Sequence, residues 1–128
     1  MIDNQNPLSP HLQIYRWHIS SLISITHRIS GVINLFTLIL IFFWLLFLSL
    51  GESNYELFLL MLNSFIGKFI LIGFTWSMNF HLLSGIRHLV WDFGYGFEIK
   101  TANISGIIVI ISSLVLTVIF WLLGRGLI

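Results

Sequence analysis

Residues 29–51 carry no charged side chain, and the centre of that stretch reads INLFTLILIFFWLLFLSL. A helix needs about 20 apolar residues to cross about 30 Å of hydrocarbon. No other feature constrains the fold as hard, because a run of this length and apolarity belongs in lipid. The whole chain agrees: of 128 residues, 57% are hydrophobic and 9% charged, against about 25% charged in a soluble domain.

The rest of the chain divides around that run. The first span covers about 22–50. Residues 51–62, GESNYELFLLML, open with Gly, Glu, Ser and Asn and read as a short loop leading into an interfacial turn. Residues 64–91 form a second span, interrupted by Lys68 near one end and by His81, Arg87 and His88 towards the other. DFGYGFEIKTAN, residues 92–103, has two glycines and three charges and reads as a loop. Residues 104–124 are uncharged and form the third span, closed by Gly124 and Arg125. The expected architecture is all-α: one integral membrane domain over residues 1–128, three transmembrane helices, and residues 1–21 as an N-terminal segment on the inner face. Arg16, Arg28, Arg87 and Lys100 flank one side, Lys68 and Arg125 the other. The positive-inside bias then places the N-terminus inside and the C-terminus outside.

Several function classes are excluded. There is no cysteine, hence no disulfide, thiolate metal site, thioether-attached haem or iron–sulfur ligation within this chain. The net charge is +1 and the six Lys and Arg are scattered, so nothing points to nucleic acid. The opening MIDNQNPLSPHLQIYRW lacks a basic region running into a short apolar core, so it does not read as a secretory signal. It is also too poor in Arg for a transit peptide.

Two polar clusters break the apolar pattern at its inner end. SITHRISG, residues 24–31, opens the first helix. Ser24, His27, Arg28 and Gly31 fall on one side of that helix by their three- and four-residue spacing. Ionisable groups at this depth face a bundle interior or cavity, or else snorkel to headgroups as an anchor. Ser24, one turn away on the face of Arg28, favours a site. Hydroxyl, guanidinium and imidazole together suit a polar ligand head such as a quinone carbonyl or a carboxylate.

The second cluster is HLLSGIRH, residues 81–88. His81 and His88 share a helical face, about 10 Å apart along the axis. Ser77, Ser84 and Gly85 surround His81, and small residues there let a flat cofactor or another helix come close. Axial ligation of haem iron is one of few reasons to keep an imidazole so deep. His81 and His88 cannot sandwich one haem from the same side of one helix, and His27 is expected nearer the depth of His88 than of His81. If His81 binds haem iron, its trans ligand therefore comes from another chain. Arg87 and His88, nearer the surface, suit haem propionates. His11 and His18 read as surface residues, and Trp17, Trp91 and Tyr95 as an interfacial belt.

PLSPHLQIY (7–15), SxxHRxSG (24–31) and HxxxGxRHLxWD (81–92), in this order and spacing, resemble the cytochrome b membrane-anchor subunit of succinate dehydrogenase, respiratory complex II. SPHLQIY resembles the alphaproteobacterial and mitochondrial form. The likeness is close over residues 7–31 and 81–92; elsewhere it extends to helix count and topology. The resemblance implies an anchor in the bacterial cytoplasmic or mitochondrial inner membrane. It also implies a second small anchor subunit, a flavoprotein and an iron–sulfur protein as partners. Haem b would lie between the anchors, and ubiquinone would be the electron acceptor. His81 matches the axial haem ligand, Ser24 and Arg28 match quinone-site residues, and His27, Arg28 and His88 match positions near the haem propionates. The chain has no flavin or dicarboxylate site and would act only as a subunit of the oxidoreductase. Rival readings are a fumarate reductase anchor, a cofactor-free structural or assembly protein, and a dihaem cytochrome b, which would want more paired intramembrane His.

Overall fold

The computed structural model describes residues 17–127, with side chains through Arg125. The PLSPHLQIY segment, His11 and Arg16 lie outside the described residues. Four helices follow in chain order: α1 Ile19–Ser49, α2 Glu52–Asn63, α3 Phe65–Asp92 and α4 Ile99–Leu127. Among the described residues, three helices are long and apolar enough to cross a membrane: α1, α3 and α4 through Arg125. Helices are the natural spanning element because each bonds its own backbone where no water can. At 1.5 Å per residue the 31 residues of α1 reach about 46 Å, so its ends extend beyond the hydrocarbon into the headgroup layers.

The expected loop at 51–62 is a correction. Residues Glu52–Asn63 form a helix of 12 residues. Glu52 sits in its first turn, where a carboxylate complements the helix dipole. Gly51 makes the reversal before it, at φ 99°, a backbone region that L side chains rarely adopt. The helix lies back against α1 through Phe58, whose ring stacks on Phe47 at 5.0 Å. At its other end Ser64 caps α3 by accepting from the Gly67 N–H at 3.0 Å.

Most large apolar side chains face outward, as lipid requires, and the buried apolar core is small: Ile23, Phe80 and Val109, flanked by Ile19, Trp76 and Leu83. Lipid tails are as apolar as leucine, so helices in a bilayer associate through close packing and hydrogen bonds instead. Both are present. Gly106 lets α4 approach α1, since a Cβ there would run into the Ile23 side chain and meet Ile19. Ser77 on α3 donates to Asn34 Oδ1 at 2.9 Å and to the Ser30 carbonyl at 3.1 Å, both on α1. Asn79 donates to Thr117 Oγ1 on α4 at 3.2 Å. These contacts bring α1 and α4 onto α3 and fix the rotation of α3, which sets where its histidines point.

Candidate functional site

Three imidazoles meet between α1 and α3. The His27 ring stacks on His81 with centroids 4.0 Å apart and planes 11° apart, and meets His88 edge-on at 5.3 Å. His27 therefore lies closer to His81 than to His88, against expectation. The bonds from Ser77 on α3 to Ser30 and Asn34 on α1 hold the two helices at this offset.

His81 is held by its Nδ1. That atom lies 3.0 Å from Ser30 Oγ and 3.2 Å from the His27 carbonyl. A carbonyl oxygen only accepts, and Ser30 Oγ already donates to the same carbonyl at 2.8 Å. Both contacts are satisfied together only if Nδ1 carries the proton and donates. Nε2 then keeps its lone pair. Ligating histidines are typically set up in this way, with the second ring nitrogen donating to a carbonyl or hydroxyl. Gly31 completes the arrangement: a Cβ there would stand 3.3 Å from His81 Cε1, so the ring packs on the α1 backbone. Gly85 behaves differently from Gly31, with open space beside it in this chain.

His27 Nδ1 and His88 Nδ1 are buried and have no hydrogen-bond partner. Two unsatisfied polar nitrogens beside a ligand-ready imidazole suit a polar or charged group supplied from outside the chain. Among the described residues no three His, Cys, Asp or Glu converge as a metal cage.

Ser24 and Arg28 line a neighbouring concavity of about 420 Å³, together with Ser20, Arg87, His88 and Trp91. Arg28 is exposed. Ser24 and Arg28 thus share one recess, while His27, next to Arg28 in sequence, turns to the α3 imidazoles. His88 belongs to both groups: it touches His27 and lines the recess.

Arg87 is not directed to the imidazoles. It is only 6% exposed. Its Nε donates to Ser105 Oγ at 3.0 Å, and one terminal nitrogen donates to the Ala102 carbonyl at 2.9 Å and to Ser20 Oγ at 3.4 Å. Its guanidinium lies 4.0 Å over the Trp91 ring. Arg87 ties α1, α3 and α4 together and backs the tryptophan that walls the recess. Trp91 in turn donates to the Gly96 carbonyl at 3.2 Å and stacks on His88 and Phe97. It is half-buried, whereas Trp17 and Tyr95 are exposed, as is His18 at the N-cap of α1.

A sequence model of the succinate dehydrogenase/fumarate reductase transmembrane subunit matches residues 2–120. The chain belongs to this family. It is a multi-pass membrane protein, and both polar clusters lie inside the family match. Among curated relatives it is 47% identical over 120 residues, 94% of each chain, to the succinate dehydrogenase cytochrome b556 subunit of Rickettsia prowazekii (strain Madrid E). It is 39% identical over 113 residues, 88% of this chain and 87% of the relative, to the cytochrome b556 subunit of Paracoccus denitrificans. The cytochrome b560 subunit of Reclinomonas americana is 37% identical over 122 residues, 91% of this chain and 85% of that one.

The sequence leaves Ser30 without a task and suggests the wrong one for Arg87. Ser30 stands inside SxxHRxSG with no assigned task, although three residues separate it from His27 and place it on the same face. Arg87 looked like a partner of His88, yet at about 100° per residue it lies about 240° round the helix from His81, with His88 almost directly below His81. That angle is the signal that separates the tie from the residues that face His27.

Proposed function

We propose that this chain anchors a succinate:quinone oxidoreductase in the membrane, binds haem b through His81, and forms one wall of the site where ubiquinone is reduced. The reading rests first on one observation: Nδ1 of His81 is committed to Ser30 and the His27 carbonyl. The second nitrogen is thereby ready for iron. The names of the relatives, cytochrome b556 and b560 subunits, support the same cofactor. Haem b, when bound, supplies a one-electron carrier within the membrane. A second small anchor subunit would complete the haem pocket. His27 and His88, whose Nδ1 atoms are buried without partners, and Arg28 receive the propionates.

The quinone end follows from Ser24 and Arg28. Reduction of a quinone takes two electrons and two protons. The Ser24 hydroxyl donates to a carbonyl oxygen, and the Arg28 guanidinium stabilises negative charge as it develops there. Electrons arrive from a flavoprotein through an iron–sulfur subunit on the inner face, and protons come from the aqueous side. This places the N-terminus inside and the C-terminus outside, in agreement with the distribution of Lys and Arg.

The test is to extract the membrane gently, purify the chain by a terminal tag, and record a reduced-minus-oxidised spectrum beside the co-purifying bands. The expected result is a b-type haem signal with a flavoprotein, an iron–sulfur protein and one more small membrane protein. A stable chain with no haem and no such companions overturns the reading.

A further inference from the structure

We propose that the end of the bundle opposite the imidazoles holds the headgroup of an anionic phospholipid between Lys68 and Arg125. A cavity of about 490 Å³ opens there, where α2 ends, α3 begins and α4 ends. That volume falls within the range of about 300–1,000 Å³ usual for small-molecule sites. Lys68 comes from the first turn and a half of α3, Arg125 from the last turn of α4, and Asn63 from the end of α2. The walls are Leu71, Phe120 and Trp121.

The charge pattern selects the ligand. No acidic side chain lines the cavity. Neither Lys68 nor Arg125 has an ion pair or side-chain hydrogen bond among the described residues. Arg87 at the other end is different, with its guanidinium spent on Ser105, Ala102 and Ser20. Among the described residues these two exposed cations, on different helices, face one recess with no acidic partner, so the recess attracts an anion from outside. The apolar walls make that anion amphiphilic. Elsewhere on these two helices the surface is apolar, with Phe65, Ile66 and Phe69 on α3 and Leu122 on α4 all exposed. A phosphodiester at the rim would place its acyl chains along this surface, whereas inorganic phosphate would leave Leu71, Phe120 and Trp121 uncovered. Basic pockets between helices on the matrix or cytoplasmic side recognise anionic headgroups in this manner, and the same chemistry would serve at this opposite end. Gly124 leaves room at the mouth, since a Cβ there would meet nothing within 4 Å.

The test uses the assembled complex, purified through a tag on this chain and placed in nanodiscs of equal parts phosphatidylglycerol and phosphatidylcholine. Native mass spectrometry then counts the lipid that stays bound. The wild type should retain phosphatidylglycerol over phosphatidylcholine, and K68Q/R125Q should lose about thirtyfold of that preference, as two interfacial cations predict. K68R/R125K should keep it, which separates charge from folding, and K100Q at the other end should leave it unchanged. Equal phosphatidylglycerol retention by wild type and K68Q/R125Q overturns the proposal, as does equal retention of the two lipids by the wild type. Displacement of the lipid by millimolar inorganic phosphate would identify a free-anion site and overturn the lipid assignment.

Discussion

His27 and His81 meet twice: their rings stack at 4.0 Å, and the His27 backbone carbonyl lies 3.2 Å from His81 Nδ1. One residue of α1 therefore controls both the face and the protonated edge of the deepest imidazole. The pair also fastens α1 to α3 at the level where the bundle holds its ligand-ready nitrogen.

His81→Leu should abolish or displace the haem signal of the complex while the other subunits still co-purify. Ser30→Ala removes one of the two acceptors at Nδ1 and should weaken haem retention by about tenfold, at the low end of the range for residues behind a metal ligand. The measurement is the difference spectrum per mole of flavin. An unaltered spectrum in His81→Leu would exclude it as the ligand.

Ser24→Ala and Arg28→Leu should strike quinone reduction selectively. We expect a loss of about tenfold for Ser24→Ala and about a hundredfold for Arg28→Leu, the ranges for a lost hydrogen-bond donor and a lost charge stabiliser. Succinate oxidation by an artificial dye that bypasses the membrane should remain near wild type. Parallel loss in both assays would mean failed assembly rather than a damaged quinone site.

Arg87 is a stability residue by its contacts. Arg87→Leu strips Ser105 and the Ala102 carbonyl of a buried donor and should cost about 3 kcal/mol. Arg87→Lys restores the charge but neither the fork nor the flat face over Trp91, and should recover only part of the loss. Thermal unfolding of the complex in detergent reads the difference. Wild-type midpoints for both variants would show that the tie carries no weight.

Gly106 tests the packing of α1 on α4. Gly106→Val drives new carbons into Ile23 and Ile19 and should destabilise the bundle by about 1–3 kcal/mol. Gly73→Ala is the control, because a Cβ at Gly73 meets nothing within 4 Å. Its unfolding midpoint should stay level or rise, since alanine is the better helix former. If the two variants unfold together, the close approach at Gly106 does not limit stability.

Much of this was legible before any coordinates. The three spans announce themselves through length and apolarity, and the two polar clusters stand out because charge is scarce around them. Helix α2 did not stand out, because Gly51, Glu52, Ser53 and Asn54 carry the chemistry of a loop as well as that of a helix start. Its helical state depends on the Phe58–Phe47 contact, which no local signal records. The meeting of His27 with His81 is not legible for a metric reason: an axial offset of three residues between two helices shifts a side chain by about 4.5 Å, enough to exchange its neighbour. Pairings between helices depend on such offsets, and hydropathy does not fix them.

The wiring of Arg87 also has a consequence in time. Its partner Ser20 leaves the ribosome before it, whereas Ala102 and Ser105 follow on α4. Until α4 enters the bilayer, the guanidinium has a hydroxyl and a tryptophan face but lacks its two shorter hydrogen bonds. Insertion therefore ends with a latch, and the wall built on Trp91 is set only when the final span arrives. A released chain truncated after Gly96 should be degraded by membrane proteases faster than the full chain, and pulse-chase labelling would register the gap; equal half-lives would show that the bundle holds before the latch closes.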